Sequence, residues 1–279
     1  MPEEANNNAK ISPVVTVIIL TKDRPDPLFK AVTSIAHQEF NHRIQVLIIG
    51  DNCSYLEPGI FRAEFPQLGL RTFNINGDVF NNVSTLSRIA SLRNLALSQV
   101  RTELIAFLDD DNRWSPKHLS SLFKKMIETG SPAVHSWRTL VDASNREAIV
   151  DSFPWLDDPT RAIERFEILV KLGLMSKGTA VVRDRSEAIF KNIDYGMVDC
   201  GEWLFHRRII DRFETDFSPT DESDMIGEDD KLLSDLKGRQ VPIACTNLPT
   251  LFYTLGGMSN RYLARNASLK AARGSTLVE

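Results

Sequence analysis

One short apolar segment that ends in three acidic residues constrains the fold of this chain more than any other feature. Residues 104–108 (LIAFL) are followed directly by Asp109, Asp110 and Asp111. An uninterrupted apolar run of this length is typical of a strand buried inside a parallel sheet. In open α/β sheets, ligands bind outside the carboxyl ends of the strands. The sequence therefore predicts three adjacent carboxylates at the ligand-binding edge of such a sheet.

Adjacent carboxylates need a cation between them, because each raises the pKa of its neighbour. Their hard oxygen atoms suit Mg²⁺ or Mn²⁺, which commonly bridge one or two carboxylates to substrate phosphates. A simpler interpretation is an acidic turn before a helix, with Ser115 and Pro116 as the N-cap and first helical residue. Both interpretations are open at this point.

The composition is that of an ordinary globular protein. The chain has 279 residues, 42% hydrophobic and 25% charged, which suits one large domain or two modest ones. A net charge of -4 argues against nucleic acid as a partner. Three widely spaced cysteines form neither a disulfide framework nor a zinc motif. Since no apolar stretch approaches the ~20 residues that span a bilayer, we predict a cytoplasmic protein without a transmembrane segment.

Apolar periodicity predicts strands that alternate with helices in the first half of the chain. Strands are predicted at 14–20, 45–49, 70–75 and 104–108, and helices at 27–37, 85–99 and 116–128. This alternation indicates a doubly wound, mostly parallel α/β sheet. The second half is less regular, with predicted strands at 133–137 and 178–182, helices at 202–212 and 229–236, a polar loop at 215–227 and a terminal helix after 261.

Acidic residues follow three of the predicted strands. Asp23 and Asp51 stand after the first two, and the acidic run follows the fourth. The helices behind these strands direct amide groups to the same edge, which favours an anion such as a diphosphate. Neither a dinucleotide-binding Gly-x-Gly-x-x-Gly motif nor a Walker motif is present. Phosphate binding through a metal ion is therefore the better account of the acids.

Six segments, in order along the chain, resemble glycosyltransferase family 2. They are residues 15–25, 46–54, 91–97, 107–116, 227–232 and 251–259. The resemblance implies a GT-A fold, in which a Rossmann-like nucleotide half merges with a smaller, mixed acceptor-binding half. We accordingly expect a disordered lead-in at 1–11, a nucleotide-sugar-binding half at 12–135, an acceptor-binding and catalytic half at 136–260, and a helix or tail at 261–279.

The resemblance also implies roles for individual residues. Thr21 and Asp23 would line the base and ribose pocket, Asp51 would accept a hydrogen bond from the base, and Arg93 would help to hold the nucleotide. The acidic run would serve ribose and a divalent cation, with Asp109 and Asp110 on the nucleotide, and Asp111 together with Asp109 on Mn²⁺ or Mg²⁺.

The catalytic base is expected in the segment that resembles the family's Glu-Asp motif. Asp229, next to Glu228, would take a proton from an acceptor hydroxyl, and a single displacement would invert the anomeric centre. Glu202 is a second candidate for the base. Leu255 stands where the family often has His or Arg, which removes one possible contact to the diphosphate.

The predicted function is metal-dependent transfer of a sugar from a UDP-, GDP- or dTDP-sugar to a hydroxyl of a saccharide, a lipid-linked acceptor or a small metabolite. A nucleotidyltransferase, a metal-dependent phosphohydrolase and a non-catalytic sugar-nucleotide binder are alternatives. Fold alone does not choose among these substrates. The sequence leaves the oligomeric state open.

Overall fold

The computed structural model describes residues 14–56, 60–80, 83–209 and 227–257. Its strands are β1 (Val15–Thr21), β2 (Ile44–Asp51), β3 (Gly69–Ile75), β4 (Leu104–Phe107), β5 (Arg113–Trp114), β6 (Ala133–Val141), β7 (Val181–Val182), β8 (Ile189–Phe190), β9 (Ile193–Asp194), β10 (Trp203–His206) and β11 (Ile243–Thr254). Its α-helices are α1 (Pro25–Ala36), α2 (Ile60–Glu64), α3 (Thr85–Gln99), α4 (His118–Thr129), α5 (Pro159–Lys171) and α6 (Glu228–Gly238).

One sheet runs through both halves of the described chain, in the order β3-β2-β1-β4-β10-β6-β11-β5, with β7 paired to β6. The strands β3, β2, β1 and β4 are parallel, and β6 is parallel to β11. Strand β10 is antiparallel to both β4 and β6, so it joins the two parallel parts. The mostly parallel α/β sheet predicted from the sequence is confirmed.

The central strands are buried on both faces, which explains their continuous apolar sequence. Along β1, Val15, Val17 and Ile19 pack into a core with α1 and α4. Ile18 points to the opposite face and packs into a second core with α3 and α6. Helices therefore cover both faces of the sheet, as the doubly wound pattern predicts.

A third apolar core supports the second half. Phe166 and Leu169 on α5 pack with Leu140 on β6, Val182 on β7 and Tyr253 on β11. Leu255, which replaces the family's polar residue, packs against the same core. This core holds α5 beside the carboxyl ends of β6 and β11.

The helix predicted at 202–212 is wrong over residues 202–206. Residues 200–202 form a 3₁₀ turn, and Trp203–His206 is strand β10. Trp203, Leu204 and Phe205 are all buried, because β10 lies between β4 and β6 with both faces covered. A short run that is apolar on every side does not distinguish a buried strand from a buried helix. Residues 208–209 are helical, in agreement with the prediction, and residues 210–212 lie outside the described part.

The helix start predicted at Ser115 and Pro116 is also wrong, because α4 begins at His118 with Lys117 as its N-cap and no side-chain capping bond. The backbone of Ser115 is hydrogen-bonded to residues outside α4. Its amide donates to the Thr250 carbonyl at 2.9 Å, and its own carbonyl accepts from Gln38 Nε2 at 2.7 Å. The acidic run is therefore not part of a cap for this helix.

Other predictions lie partly or wholly outside the described residues. They are the lead-in at 1–11, the loop at 215–226, the residues at 258–259 and the tail at 261–279. The division at residue 135 stays a prediction, and β6 spans it. Among the helices of the described ranges, none combines the length and apolar character that a membrane crossing requires.

Candidate active site

A cleft of about 1250 Å³ lies at the carboxyl ends of β1, β2 and β4. It brings together most of the residues predicted for the site, and Asp23 and Glu202 are the two that do not line it. The predicted residues that line it are Thr21, Asp51, Arg93, Asp109, Asp110, Asp111, Glu228 and Asp229. These residues come from distant parts of the chain, from Thr21 to Asp229.

The acidic run follows β4 and is paired with Arg24, the residue before α1. Arg24 Nη1 lies 2.6 Å from Asp111 Oδ2, and Arg24 Nε donates to Asp110 Oδ2 at 3.2 Å. Asp110 is fully buried, and this burial raises its pKa to about 7 even though Arg24 acts in the opposite direction. Burial and the charge of Asp109 raise the pKa of Asp111. One guanidinium thus only partly compensates the negative charge gathered here.

Arg93 joins the acidic run to α6. It is buried on α3, and its Nη2 donates to Asp109 Oδ1 at 3.0 Å while its Nη1 donates to Glu228 Oε1 at 2.7 Å. Loss of Arg93 would leave the buried Glu228 carboxylate without its partner, which is costly. Arg93 therefore fixes the first turn of α6 against the carboxyl end of β4.

Asp51 ends β2 and faces the cleft between two basic side chains. Lys22 Nζ lies 3.3 Å from Asp51 Oδ2, and the guanidinium of Arg88 on α3 contacts Asp51 Oδ1. Both basic groups also line the cleft. The Asp51 carboxylate is therefore held in place at the rim.

Thr21 and Asp23 have different surroundings. The Thr21 hydroxyl shares a hydrogen bond of 2.8 Å with the Tyr55 hydroxyl at the edge of the cleft. The Asp23 carboxylate accepts from the Ser54 amide at 3.3 Å, and Asp23 has a left-handed backbone (φ 50°). Asp23 thus connects the turn after β1 to the turn after β2.

The two candidate bases differ in how deeply their side chains are buried. Asp229 lies in the first turn of α6, lines the cleft, and accepts from the Asp230 amide at 2.9 Å. Negative charge is favoured at this end of a helix. Glu202 is fully buried, and its Oε2 accepts from the Asp199 amide at 2.8 Å in a capping box. Glu202 therefore supports the 3₁₀ turn from within the protein.

The wall formed by the second half contains residues that the sequence interpretation missed. Arg138 on β6 is buried, with Nη2 3.0 Å from Asp184 Oδ1 and Nη1 3.1 Å from Asp199 Oδ2. Its guanidinium also lies over the rings of Trp155, at 4.5 Å, and Tyr253, at 5.2 Å. No local motif marks these contacts, because they join residues that are distant in sequence.

Helix α5, which contributes Arg161 and Arg165 to this wall, was also missed. Its start carries a recognisable signal. Asp158 accepts from the Arg161 amide at 2.9 Å as the N-cap, and Pro159 is the first helical residue. This pair of residue types is typical of a helix start.

Comparisons with known proteins agree with this geometry. The model of the family described as glycosyl transferase family 2 matches residues 16–190. The structure is similar to S. aureus TarS 1-349 in complex with UDP-GlcNAc (TM-score 0.55, 14% identity), covering 86% of this chain and 58% of that one. It is also similar to the mannosyltransferase PcManGT from Pyrobaculum calidifontis in complex with GDP-Man and Mn²⁺ (TM-score 0.52, 15% identity), covering 85% of this chain and 55% of that one.

The chain thus spans less than two thirds of the length of either structure. A search by sequence among curated proteins found no match. The similar structures share the GT-A fold, which confirms the fold predicted from the sequence. Since the family match extends over more than half of the residues, this chain belongs to glycosyl transferase family 2.

Proposed function

We propose that this protein transfers a sugar from a nucleoside diphosphate sugar to a hydroxyl group of an acceptor. One observation carries the proposal. The acids after β2 and β4, the arginine of α3 and the acids of α6 all face a single cleft at the carboxyl edge of the sheet. Ligands of α/β folds bind at this edge. The similar structures named above hold UDP-GlcNAc and GDP-Man.

The nucleotide is proposed to bind at the ends of β1 and β2. Asp51 would accept a hydrogen bond from an N–H of the base, and Thr21 and Asp110 would lie toward the ribose. Lys22, which is 60% exposed, pairs with Asp51 across 3.3 Å. An exposed pair of this kind contributes little to stability, so its partners can exchange for a ligand at small cost. The donor nucleotide, UDP, GDP or dTDP, is left to experiment.

The carboxylates of Asp109 and Asp111 fit a divalent cation, Mn²⁺ or Mg²⁺. They are hard oxygen donors. Burial and, next to it, the charge of Asp109 raise the pKa of Asp111, and a bound cation would favour its ionised form. Gly257 leaves room beside them, since a Cβ at this position would lie 3.2 Å from Asp111 Oδ2.

No group of three or more metal-ligating side chains occurs within the described ranges. The remaining ligands would therefore come from the diphosphate and water, as is usual for Mg²⁺. When bound, the cation would neutralise charge that develops on the departing diphosphate.

Asp229 is proposed as the general base. Its carboxylate lines the cleft, and the bonds of Arg93 to Asp109 and Glu228 hold the first turn of α6 in place. From there it would take the proton of the acceptor hydroxyl as the oxygen attacks the anomeric carbon, opposite the departing diphosphate. A single displacement of this kind inverts the anomeric configuration.

The first test is a thermal-shift panel of UDP, GDP, dTDP and CDP, each with and without Mn²⁺. A ligand that binds only the folded state stabilises it, by ~2.7 kcal/mol at a hundredfold excess over its dissociation constant. We expect a Mn²⁺-dependent shift with one nucleotide. The corresponding nucleotide sugars are then assayed for nucleoside diphosphate release and, by NMR, for the anomeric configuration of the product.

Other outcomes have distinct meanings. No shift with any nucleotide contradicts the proposal. Release of inorganic phosphate without an acceptor indicates a phosphohydrolase, and formation of a nucleotide sugar from a nucleoside triphosphate indicates a nucleotidyltransferase. Binding without turnover for any donor indicates a non-catalytic binder. The cytoplasmic location stays a prediction.

A further inference from the structure

One face of helix α5 is directed into the cleft. Arg161, Glu164, Arg165 and Ile168 all line it, at the spacing that places residues on one side of a helix. The opposite face of α5 packs into the third core through Phe166 and Leu169. The backbone of Arg165 is thus fixed by packing while its side chain extends toward the ligand space.

The guanidinium of Arg165 is held between aromatic rings. It lies 4.2 Å from the centroid of the Tyr195 ring and 5.4 Å from that of Phe153. Its Nε is buried and has no hydrogen-bond partner among the described residues. The ring contacts fix the plane of the guanidinium and leave its N–H groups free to bind a planar or tetrahedral anion at two points.

Arg165 differs in its charge balance from most of the other arginines that line the cleft. Within the described ranges, no carboxylate lies within 4.0 Å of Arg165. Four of the other five, Arg24, Arg88, Arg93 and Arg138, each form an ion pair with at least one aspartate. The fifth, Arg161, is exposed to solvent, whereas Arg165 is partly buried. Burial lowers the pKa of Arg165, and the charges of Tyr195 and Asp230 offset this only in part. A partly desolvated cation without a paired charge is unfavourable until a ligand supplies one.

The position of Arg165 relates it to the acceptor and not to the donor diphosphate. Its ring partners, Phe153 and Tyr195, belong to the half of the chain that is expected to bind the acceptor. The charge of Asp230 also acts on Arg165, and the Asp230 amide donates to Asp229, the proposed base. The proposed diphosphate site instead lies at the end of β4, with Asp109 and Asp111. A group bound to Arg165 would therefore belong to the molecule whose hydroxyl meets Asp229.

We propose that the acceptor is anionic, and that Arg165 binds its phosphate or carboxylate group. Arg161, one turn earlier on the same face of α5, adds positive charge at the exposed end of this subsite. The inference rests on the proposed function, because it names the acceptor class of that site. It would make Arg165 a specificity-determining residue.

The test compares charged with neutral probes on the full chain saturated with the nucleoside diphosphate and Mn²⁺ identified above. Glycerol 3-phosphate and glucuronate represent phosphate and carboxylate acceptors, and glycerol and glucose are their neutral counterparts. Dissociation constants are measured by calorimetry or ligand-observed NMR. We expect at least one anionic probe to bind about tenfold or more tightly than its neutral counterpart, the difference that a charged hydrogen bond supplies. The preferred anion distinguishes phosphate from carboxylate.

Three variants assign the effect to Arg165. Arg165→Met should abolish the preference for the anionic probe, and Arg165→Lys should retain part of it because the charge remains. Arg183→Met, which removes an arginine that is not among the residues lining the cleft, serves as the matched control and should bind like the wild type. If Arg165→Met does not fold, a reduced preference in Arg165→Lys carries the same conclusion.

Equal affinity for charged and neutral probes would overturn the inference, and so would a preference that survives in Arg165→Met. Nucleotide binding is measured in the same samples, so the two proposals fail separately. Absence of nucleotide binding to the wild-type protein would count against the proposed function itself. Intact nucleotide binding with no anion preference would count only against the acceptor class.

Discussion

The two walls of the cleft carry their charges in different ways. On the proposed nucleotide side, Lys22 is 60% exposed and pairs with Asp51 at the rim of the cleft, while Arg24 is 43% exposed and pairs with the buried Asp110 and with Asp111. On the opposite side, Arg138 is buried between Asp184 and Asp199, both themselves buried. Exposed pairs exchange partners at little cost, whereas a buried charge that loses its partner is expensive. The Lys22–Asp51 pair of the proposed nucleotide wall is therefore suited to ligand exchange, whereas the buried Arg138 cluster of the opposite wall provides a rigid support.

The largest expected effect is on the rate of turnover, and it tests the residue proposed as the base between the two walls. Asp229→Asn removes the proposed base and should lower kcat by about 10²–10⁴-fold, the usual contribution of general base catalysis, with nucleotide affinity unchanged. Asp235→Asn, on the same helix but not among the residues lining the cleft, is the control. Steady-state kinetics and nucleotide titration measure both quantities. Full activity of Asp229→Asn would exclude it as the base.

The next prediction concerns stability and compares the walls directly. Arg138→Met should lower the free energy of unfolding by about 3–5 kcal/mol, because it leaves two buried carboxyl groups without their partner. Lys22→Met should change it by no more than about 1 kcal/mol, as is usual for an exposed pair. Urea denaturation of both variants measures the difference. Similar values for the two would remove the distinction between the walls.

A third prediction tests whether Asp111, on the proposed nucleotide wall, binds the metal ion. Asp111→Asn should weaken Mn²⁺-dependent binding of the nucleoside diphosphate by at least about 10–100-fold, the effect of losing a residue that only supports a metal ligand, and leave binding without Mn²⁺ nearly unchanged. Calorimetric titration with and without the metal separates the two effects. Asp142→Asn, which alters an exposed surface turn outside the cleft, is the control. Unchanged Mn²⁺-dependent affinity in Asp111→Asn would refute its assignment as a metal ligand.

The smallest effect concerns the pH dependence of stability that arises from Asp184, a partner of the buried Arg138. Burial raises the pKa of Asp184. The charge of Arg138 and a hydrogen bond with Glu202 oppose this increase, and the charge of Asp229 adds to it. Because the unfolded carboxyl has a pKa near 3.9, the folded protein holds the proton more tightly. This contribution to stability is complete below about pH 4 and is lost as the pH rises through the folded pKa.

The free energy of unfolding of Asp184→Asn should therefore fall less between pH 5 and pH 8 than that of the wild type, by on the order of 1 kcal/mol. Urea denaturation at several pH values measures the two slopes. The control is Asp142→Asn, because Asp142 lies on the surface. Parallel pH profiles for the wild type and Asp184→Asn would show that Asp184 does not titrate with folding in this range.

The nucleotide wall could be predicted from the sequence largely because its signals are local. β1, β2 and β4 are continuous apolar runs followed by polar turns, and the observed bounds of α3, Thr85–Gln99, agree with the predicted ones. In a parallel sheet the carboxyl ends of all strands share one edge. Acids at the ends of separate strands were therefore predicted to lie close together without knowledge of any distance.

Only the tertiary structure decided which charges pair and which groups remain for a ligand. Arg93 and Glu228 are 135 positions apart, and their contact depends on α3 and α6 packing on one face of the sheet. The insertion of β10 between β4 and β6 placed Glu202 inside the protein and left Asp229 in the cleft. Hydrophobic periodicity reports which face of an element is buried, whereas pairing across elements depends on strand order, which no local pattern encodes.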